Sequence, residues 1–137
     1  MIPEDYLVLA RFRQRIREYL HFSEKAARDA GLEPQQYQFL LALKGLPEGV
    51  APSVGELAER LLIAHHSAVG LIDRLEARGL VLRLRDRSDG RRILVAMTPR
   101  GERTIGELVA YHTETLRRSA PELIEALSQI IGARARV

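Results

Sequence analysis

The sequence predicts a mainly α-helical fold interrupted once by a small β-hairpin, with long helices at both ends of a central motif. Three observations predict it. Apolar residues recur at helical spacing, punctuated by capping residues and glycines, along most of the chain. One stretch, Leu80 to Thr98, switches to period two on either side of an Asp-Gly pair. Five arginines crowd into the ten residues Arg83 to Arg92.

The 137 residues suit a single domain spanning 1–137, and 46% hydrophobic with 28% charged residues indicates a folded chain rather than a disordered one. There is no cysteine, which excludes disulfides, thiolate metal sites, a cysteine nucleophile and thiol redox sensing. No apolar run reaches membrane-spanning length. The N-terminal MIPEDY is acidic where a secretory signal is basic, so a cytoplasmic protein without membrane association is expected.

Taken in order, Pro3 suits the first turn of a long helix carrying Leu9, Phe12, Ile16, Tyr19, Leu20 and Ala27, which Gly31 stops. Its apolar stripe is longer than a small domain covers, which points to a homodimer. A second helix starts near Pro34 with Tyr37, Leu40, Leu41 and Leu43; the Pro- and Gly-rich stretch Gly45 to Pro52 is a loop. Ser53-Val54-Gly55-Glu56 reads as a reciprocal capping box opening a short helix. After a break at Ile63-Ala64, another helix runs from His65 to Arg78, with Ala68, Leu71, Ile72 and Leu75 buried and Gly79 ending it. The hairpin follows, with Leu80 to Arg85 and Arg92 to Thr98 as its strands and Asp86 to Arg91, holding the Asp89-Gly90 turn, between them. Thr98 then caps a helix to about Ser119, with Ile105, Leu108, Val109, His112 and Leu116 on one side. Pro121 is expected to start a separate last helix, and the tail from Ala133 to fray.

Charge separates the hairpin from everything else. Arginine supplies 19 of the 21 basic residues, and Arg83 to Arg92 carries +3, equal to the net charge of the whole chain. Such a local patch suggests an anionic partner, nucleic acid first. Two helices joined by a tight turn and followed by a basic hairpin make a winged helix-turn-helix, here spanning 34–100. One helix fits the major groove, and an arginine at the hairpin tip suits the negative potential of the adjacent minor groove. The helices of 1–31 and 101–137 would then hold two copies together.

Several segments resemble the MarR family of bacterial transcription regulators. Asp89-Gly90-Arg91, Leu94-Val95 and Thr98-Pro99-Arg100-Gly101 are similar to that family's wing signature. Leu57-Ala58-Glu59-Arg60-Leu61, with Leu71-Ile72-Asp73-Arg74-Leu75-Glu76 and Gly79-Leu80-Val81, resembles its two-helix reader. Met97 departs from the usual leucine, Ala64 from a serine-type cap, and Val69 and Gly70 from a hydroxyl residue and a larger one, so base preference should differ. The resemblance implies a homodimer on a pseudo-palindromic operator, often repressing its own promoter, and often released by a small aromatic acid.

Individual residues follow from both lines. Arg91 is the candidate for the minor groove, with Asp89 bracing its guanidinium through a bidentate pair. Arg87 and Arg92 are candidates for phosphate contact or simply solvated charges. His65, His66 and Ser67 open the reader helix and are candidates for base or phosphate contact or simply solvated polar residues; Val69, with Gly70 beside it, is a candidate for a thymine methyl or for packing, and Arg74, two turns on, for a phosphate or a helix-surface ion pair. Ser53 caps its helix and presents that N-terminus to the backbone. Tyr19, Tyr37, Tyr111 and His112 are candidates for an effector pocket, each against a plain packing role. The adjacent histidines point about 100° apart on a helix, and only His21 and His112 remain as further ligands, so no metal and no cofactor is expected. An enzyme is not expected either, since nucleotide-binding and hydrolase motifs are absent and Asp86 and Asp89 share an exposed loop where nothing desolvates them. The competing reading is a winged-helix module that acts through protein partners.

Overall fold

The structure is a computed structural model that describes residues 3–135. Seven elements follow in order: α1 (Pro3–Asp29), α2 (Pro34–Lys44), α3 (Val54–Leu61), α4 (His65–Ala77), β1 (Val81–Arg85), β2 (Ile93–Met97) and α5 (Pro99–Ala135). The chain forms two compact units, a middle one from Ala27 to Leu108 and a terminal one from the chain on either side of it, so α1 and α5 each contribute to both.

The middle unit holds a continuous apolar core. Phe39 and Leu40 of α2, Leu57 of α3, Ile72 and Leu75 of α4, and Val81 and Val95 of the hairpin are all fully buried. In α4 the buried residues are Ala68, Leu71, Ile72 and Leu75, the set that helical periodicity selects. The antiparallel hairpin pairs Val81 with Met97 and Arg85 with Ile93, and a bridge from Ser53 to Leu94 ties the start of α3 to it.

Local chemistry explains the joints. Gly79 follows α4 at φ +73°, a left-handed turn that costs glycine little and starts β1 at once. Thr98 caps α5: its Oγ1 accepts from the Gly101 N–H at 3.1 Å and donates to the Gly79 carbonyl at 2.6 Å. Gly101 is buried where α5 crosses the strand. A Cβ there would meet the Leu80 carbonyl oxygen and lie 2.8 Å from Met97 Cγ, so no larger residue fits without a shift.

Three expectations need correction. α5 runs unbroken for 37 residues with Pro121 inside it. Proline removes one N–H bond, the one to Arg117, but the residues after it keep helical apolar spacing and good helix formers, so propagation continues. Ala133 to Ala135 are helical rather than frayed, and the rest of the expected tail, Arg136 and Val137, lies outside the described residues. The capping box on α3 is only half formed. Ser53 Oγ accepts from the Glu56 N–H at 3.1 Å, whereas the Glu56 carboxylate turns along the helix to Arg60 at 2.8 Å.

The terminal unit has a thin core. Val8, Ala26, Ala126 and the buried His112 are its covered residues, while Tyr6, Leu7, Leu9 and Leu20 of α1 and Tyr111, Ile124, Leu127 and Ile131 of α5 remain exposed. Leu9 and Leu20, expected on the packed stripe, thus face outward.

Candidate nucleic-acid interface

The helix-turn-helix is formed by α3 and α4. Leu62 caps α3 in the left-handed region at φ 57°, bonding back to Ala58 and Glu59, and its side chain is 92% exposed. Ala64 stands at the N-cap of α4 and provides no side-chain cap; the Ser67 N–H donates to the Ala64 carbonyl at 3.0 Å, and the His65 and His66 N–H groups ahead of it get no cap from Ala64. His65, His66 and Ser67 are exposed on this first turn; Val69 and Gly70 are half-buried, and Arg74 is exposed. His66, Ser67, Gly70 and Arg74 line one concave surface of about 410 Å³ together with Gln35 and Gln38 of α2. The two glutamines were not among the residues singled out from sequence; their i, i+3 spacing, which places them on one helix face, is the signal that was there to be read.

The hairpin is pinned to the reader helix by a residue that sequence reasoning left in the general basic patch. Arg83 Nη1 reaches Glu76 Oε1 at 2.7 Å, its backbone N–H donates to Glu76 Oε2 at 3.1 Å, and Nη2 pairs with Asp73. The Asp73 hydrogen bond, with Glu76 adding to it against the opposing effect of burial, raises the Arg83 pKa further. The alternation in β1 runs accordingly: Val81 and Arg83 turn inward, and Leu82 and Leu84 are exposed.

Between the strands lie seven residues, 86–92, one more than the six that separate the period-two runs of the sequence, and the Asp-Gly pair does not form a tight turn. The flanking pair is Arg85 with Ile93, and Gly90 does not take a positive φ. The loop is organised by Asp86 instead. Its Oδ1 accepts from the Ser88 N–H at 3.0 Å and hydroxyl at 2.8 Å, and its Oδ2 accepts from Arg92 Nε at 2.8 Å, with Nη2 at 2.7 Å. Asp86 is therefore buried, contrary to the exposed loop expected. The Ser88 hydroxyl first, then the Arg92 hydrogen bond and the Ser88 N–H, lower its pKa to about 2, which keeps it ionised and unsuited to donating a proton.

The expected pairing of Asp89 with the Arg91 guanidinium is also corrected. Asp89 Oδ1 accepts from the Arg91 backbone N–H at 3.1 Å, and the arginine bound through its guanidinium is Arg92, to Asp86. Asp89 fits an Asx-type turn better, because a short carboxylate reaches a backbone N–H two residues on more readily than a long side chain. Of the five arginines, Arg83 and Arg92 are neutralised, while Arg85, Arg87 and Arg91 are exposed and make no ion pair among the described residues. Arg85 had not been singled out. Ser53 is buried and its hydroxyl is occupied as a cap, which leaves it little to offer a phosphate.

The candidate effector residues divide. Tyr37 is buried in the middle unit. Tyr111 and His112 meet the ring of Phe22 at centroid distances of 5.2 and 5.4 Å, with Tyr19 at 6.4 Å from Phe22, all in the terminal unit. His112 is 3% exposed and its Nε2 lies 2.9 Å from Ser23 Oγ, a hydrogen-bonded interior histidine. Phe22, the centre of this cluster, was missed.

An uncapped helix beside an arginine-bearing hairpin, held together by an ion-pair clamp, makes this unit a winged helix-turn-helix. A sequence model of the MarR family matches residues 30–92. A MarR-family transcriptional regulator from Rhodococcus sp. RHA1 is 30% identical, with 74% of this chain covering 71% of that one at a TM-score of 0.62. The chain belongs to the MarR family. CouR from Rhodococcus jostii RHA1, solved bound to p-coumaroyl-CoA, is 33% identical over 74% of this chain and 69% of its own, with a TM-score of 0.63. AbsC, a MarR-family regulator from Streptomyces coelicolor, shares the fold over 100% of this chain and 98% of its own at 23% identity and a TM-score of 0.76. Among curated proteins, the transcriptional activatory protein BadR of Rhodopseudomonas palustris is 37% identical over 63% of this chain and 49% of its own length. The chain spans about half the length of the curated relatives it matches. Among the described residues, no helix is long and apolar enough to cross a membrane.

Proposed function

We propose that the protein is a homodimeric repressor of a pseudo-palindromic operator, working in the cytoplasm and released by a small aromatic or phenolic ligand. The observation that carries the DNA-binding part is the division of the arginines. Arg85, Arg87 and Arg91 make no ion pair among the described residues, while Arg83 anchors the hairpin to α4, so the cationic side chains and the reader helix are presented as one body. In this reading His65, His66, Ser67, Val69, Gly70 and Arg74 meet the major groove and its phosphates, Arg91 enters the minor groove, and Arg87 contacts the backbone. The exposed apolar residues of the terminal unit support the homodimer, since each buried leucine or isoleucine side chain contributes about 1.5–3 kcal/mol. The ligand bound to CouR supports a small-molecule effector.

The test is selection of binding sites from a random duplex library with purified protein, then affinity for the winner and for a scrambled duplex at two salt concentrations. A two-fold symmetric winner preferred at both salts is the expected result. Equal, steeply salt-dependent binding to both duplexes would reduce the hairpin to a non-specific clamp. The kinship with BadR favours one second reading, activation, which a reporter with the operator moved upstream of the promoter separates from repression.

A further inference from the structure

The exposed face of α4 has two sides, and they are used differently. On one side Asp73 and Glu76 are occupied by Arg83 of the hairpin. On the other, His66, Gly70 and Arg74 follow one another at i, i+4 spacing and face α2 across the concave surface of about 410 Å³. Those eight positions of helix extend about 12 Å along its axis.

The start of α2 supplies the facing wall. Of its three glutamines, Gln36 is buried and committed: its Oε1 accepts from the Glu33 N–H at 3.1 Å and from Arg78 Nη1 at 2.9 Å. Gln35 and Gln38 are exposed, lie on one face of the helix, and make no side-chain hydrogen bond among the described residues. Arg74 is likewise exposed and without an ion pair among the described residues. Its guanidinium lies back across Gly70, where a Cβ would be 3.7 Å from Nη1, so the charge is directed toward the first turn of α4.

The chemistry of this lining differs from that of the terminal unit. The cavities there carry Glu18 and Glu122, or Glu4 and Glu125. Here no lining residue is acidic, and Arg74 brings a permanent positive charge. Arginine, glutamine and serine side chains are the groups that meet phosphate oxygens in protein–DNA complexes. Each glutamine amide offers two donors, and a guanidinium can hold a phosphate through two bonds. A surface of this length also suits a polyanion, since one DNA strand carries a charge about every 3.4 Å of duplex axis.

We infer that this surface seats the phosphodiester backbone of one DNA strand, with Arg74 as its cation and the Gln35 and Gln38 amides as neutral donors to phosphate oxygens. The second helix thereby joins α4 and the hairpin in holding the duplex. The inference rests on the DNA-binding reading above and adds α2 to it.

The test uses the full chain with the selected operator and its scramble over a range of salt. Gln35→Ala with Gln38→Ala should weaken binding to both duplexes by the same factor, about tenfold. The salt slope should stay unchanged, because neutral donors release no counterions. Arg74→Ala should weaken both and lower the slope by about one per half-site. Gln35→Glu with Gln38→Glu keeps the size and adds like charge, so it should weaken binding further and most at low salt. All these variants should keep the wild-type Tm, since the replaced side chains are exposed and bond to nothing among the described residues. Phosphate ethylation should hinder the wild type at a position in each half-site where it no longer affects the glutamine-to-alanine variant. A loss confined to the operator would make the glutamines base readers and overturn the phosphate assignment. Unchanged affinity in that variant, with the wild type binding DNA, would remove α2 from the interface and leave the DNA-binding reading standing. A wild type that binds neither duplex would overturn both.

Discussion

Asp86 illustrates how one side chain organises a loop. It accepts from Ser88 twice and from Arg92, and these bonds favour the carboxylate over the acid. With its pKa lowered from 3.8 to about 2, the folded state binds the proton less readily than the unfolded chain does. The stability it contributes is therefore fully present above about pH 4 and disappears as pH falls toward 2. An NMR titration of the Asp86 carboxyl should show the low midpoint, and Asp86→Asn should remove that part of the acid dependence; a midpoint near 4 would contradict the bonding described. Gly101 makes a second residue-scale case. Gly101→Ala should destabilise the protein by about 1–3 kcal/mol in denaturant melts, since the added methyl meets the Leu80 carbonyl and Met97. An unchanged midpoint would show that α5 moves aside freely.

The hairpin makes its predictions as an element. Arg91 and Arg92 are neighbours of identical chemistry, yet Arg92 is engaged by Asp86 and the Arg91 guanidinium has no ion pair among the described residues. Arg91→Ala should weaken operator binding by about 1–3 kcal/mol and lower the salt slope by about one, without changing the oligomeric state. Arg92→Ala should act chiefly on the loop, with a smaller loss of affinity and a lower melting temperature. Equal affinity losses for the two variants at fixed salt would refute the division of labour. The Arg83 clamp belongs to the same scale. Surface ion pairs contribute only about 0–1 kcal/mol to stability, so its value lies in fixing where the hairpin stands relative to α4.

At the scale of the molecule, the terminal unit leaves Ile124, Leu127 and Ile131 of α5 and Leu7 and Leu9 of α1 exposed. A second copy would remove this surface from water. Ile124→Glu combined with Leu127→Glu should convert the protein to monomers in sedimentation and abolish the concentration dependence of Tm expected of a dimer. A wild-type protein that is monomeric at micromolar concentration would refute the assembly. Reader helices one DNA turn apart would place half-sites about 10 bp apart, which a footprint reads directly.

The sequence alone determined the order of elements as far as the start of α5, because apolar period and capping chemistry act within a few residues. Ala68, Leu71, Ile72 and Leu75 could be assigned to the core of α4 from spacing alone, and Thr98 to the start of α5 from its neighbours. The +3 of the hairpin was likewise countable, and with Leu57 to Leu61 and Thr98 to Gly101 in order it was enough to suggest the family. Only the tertiary structure decided which arginines are left free. That depends on carboxylates brought alongside by folding: Asp73 and Glu76 from another element, and Asp86 across a loop whose shape the Asp-Gly pair misrepresented. The continuity of α5 through Pro121 was decided at the same level, because one missing hydrogen bond is weaker than the helix on both sides of it. Phe22 stayed invisible in the sequence for a related reason. A ring acquires meaning as the centre of an aromatic cluster only when helices from opposite ends of the chain bring Tyr111 and His112 against it.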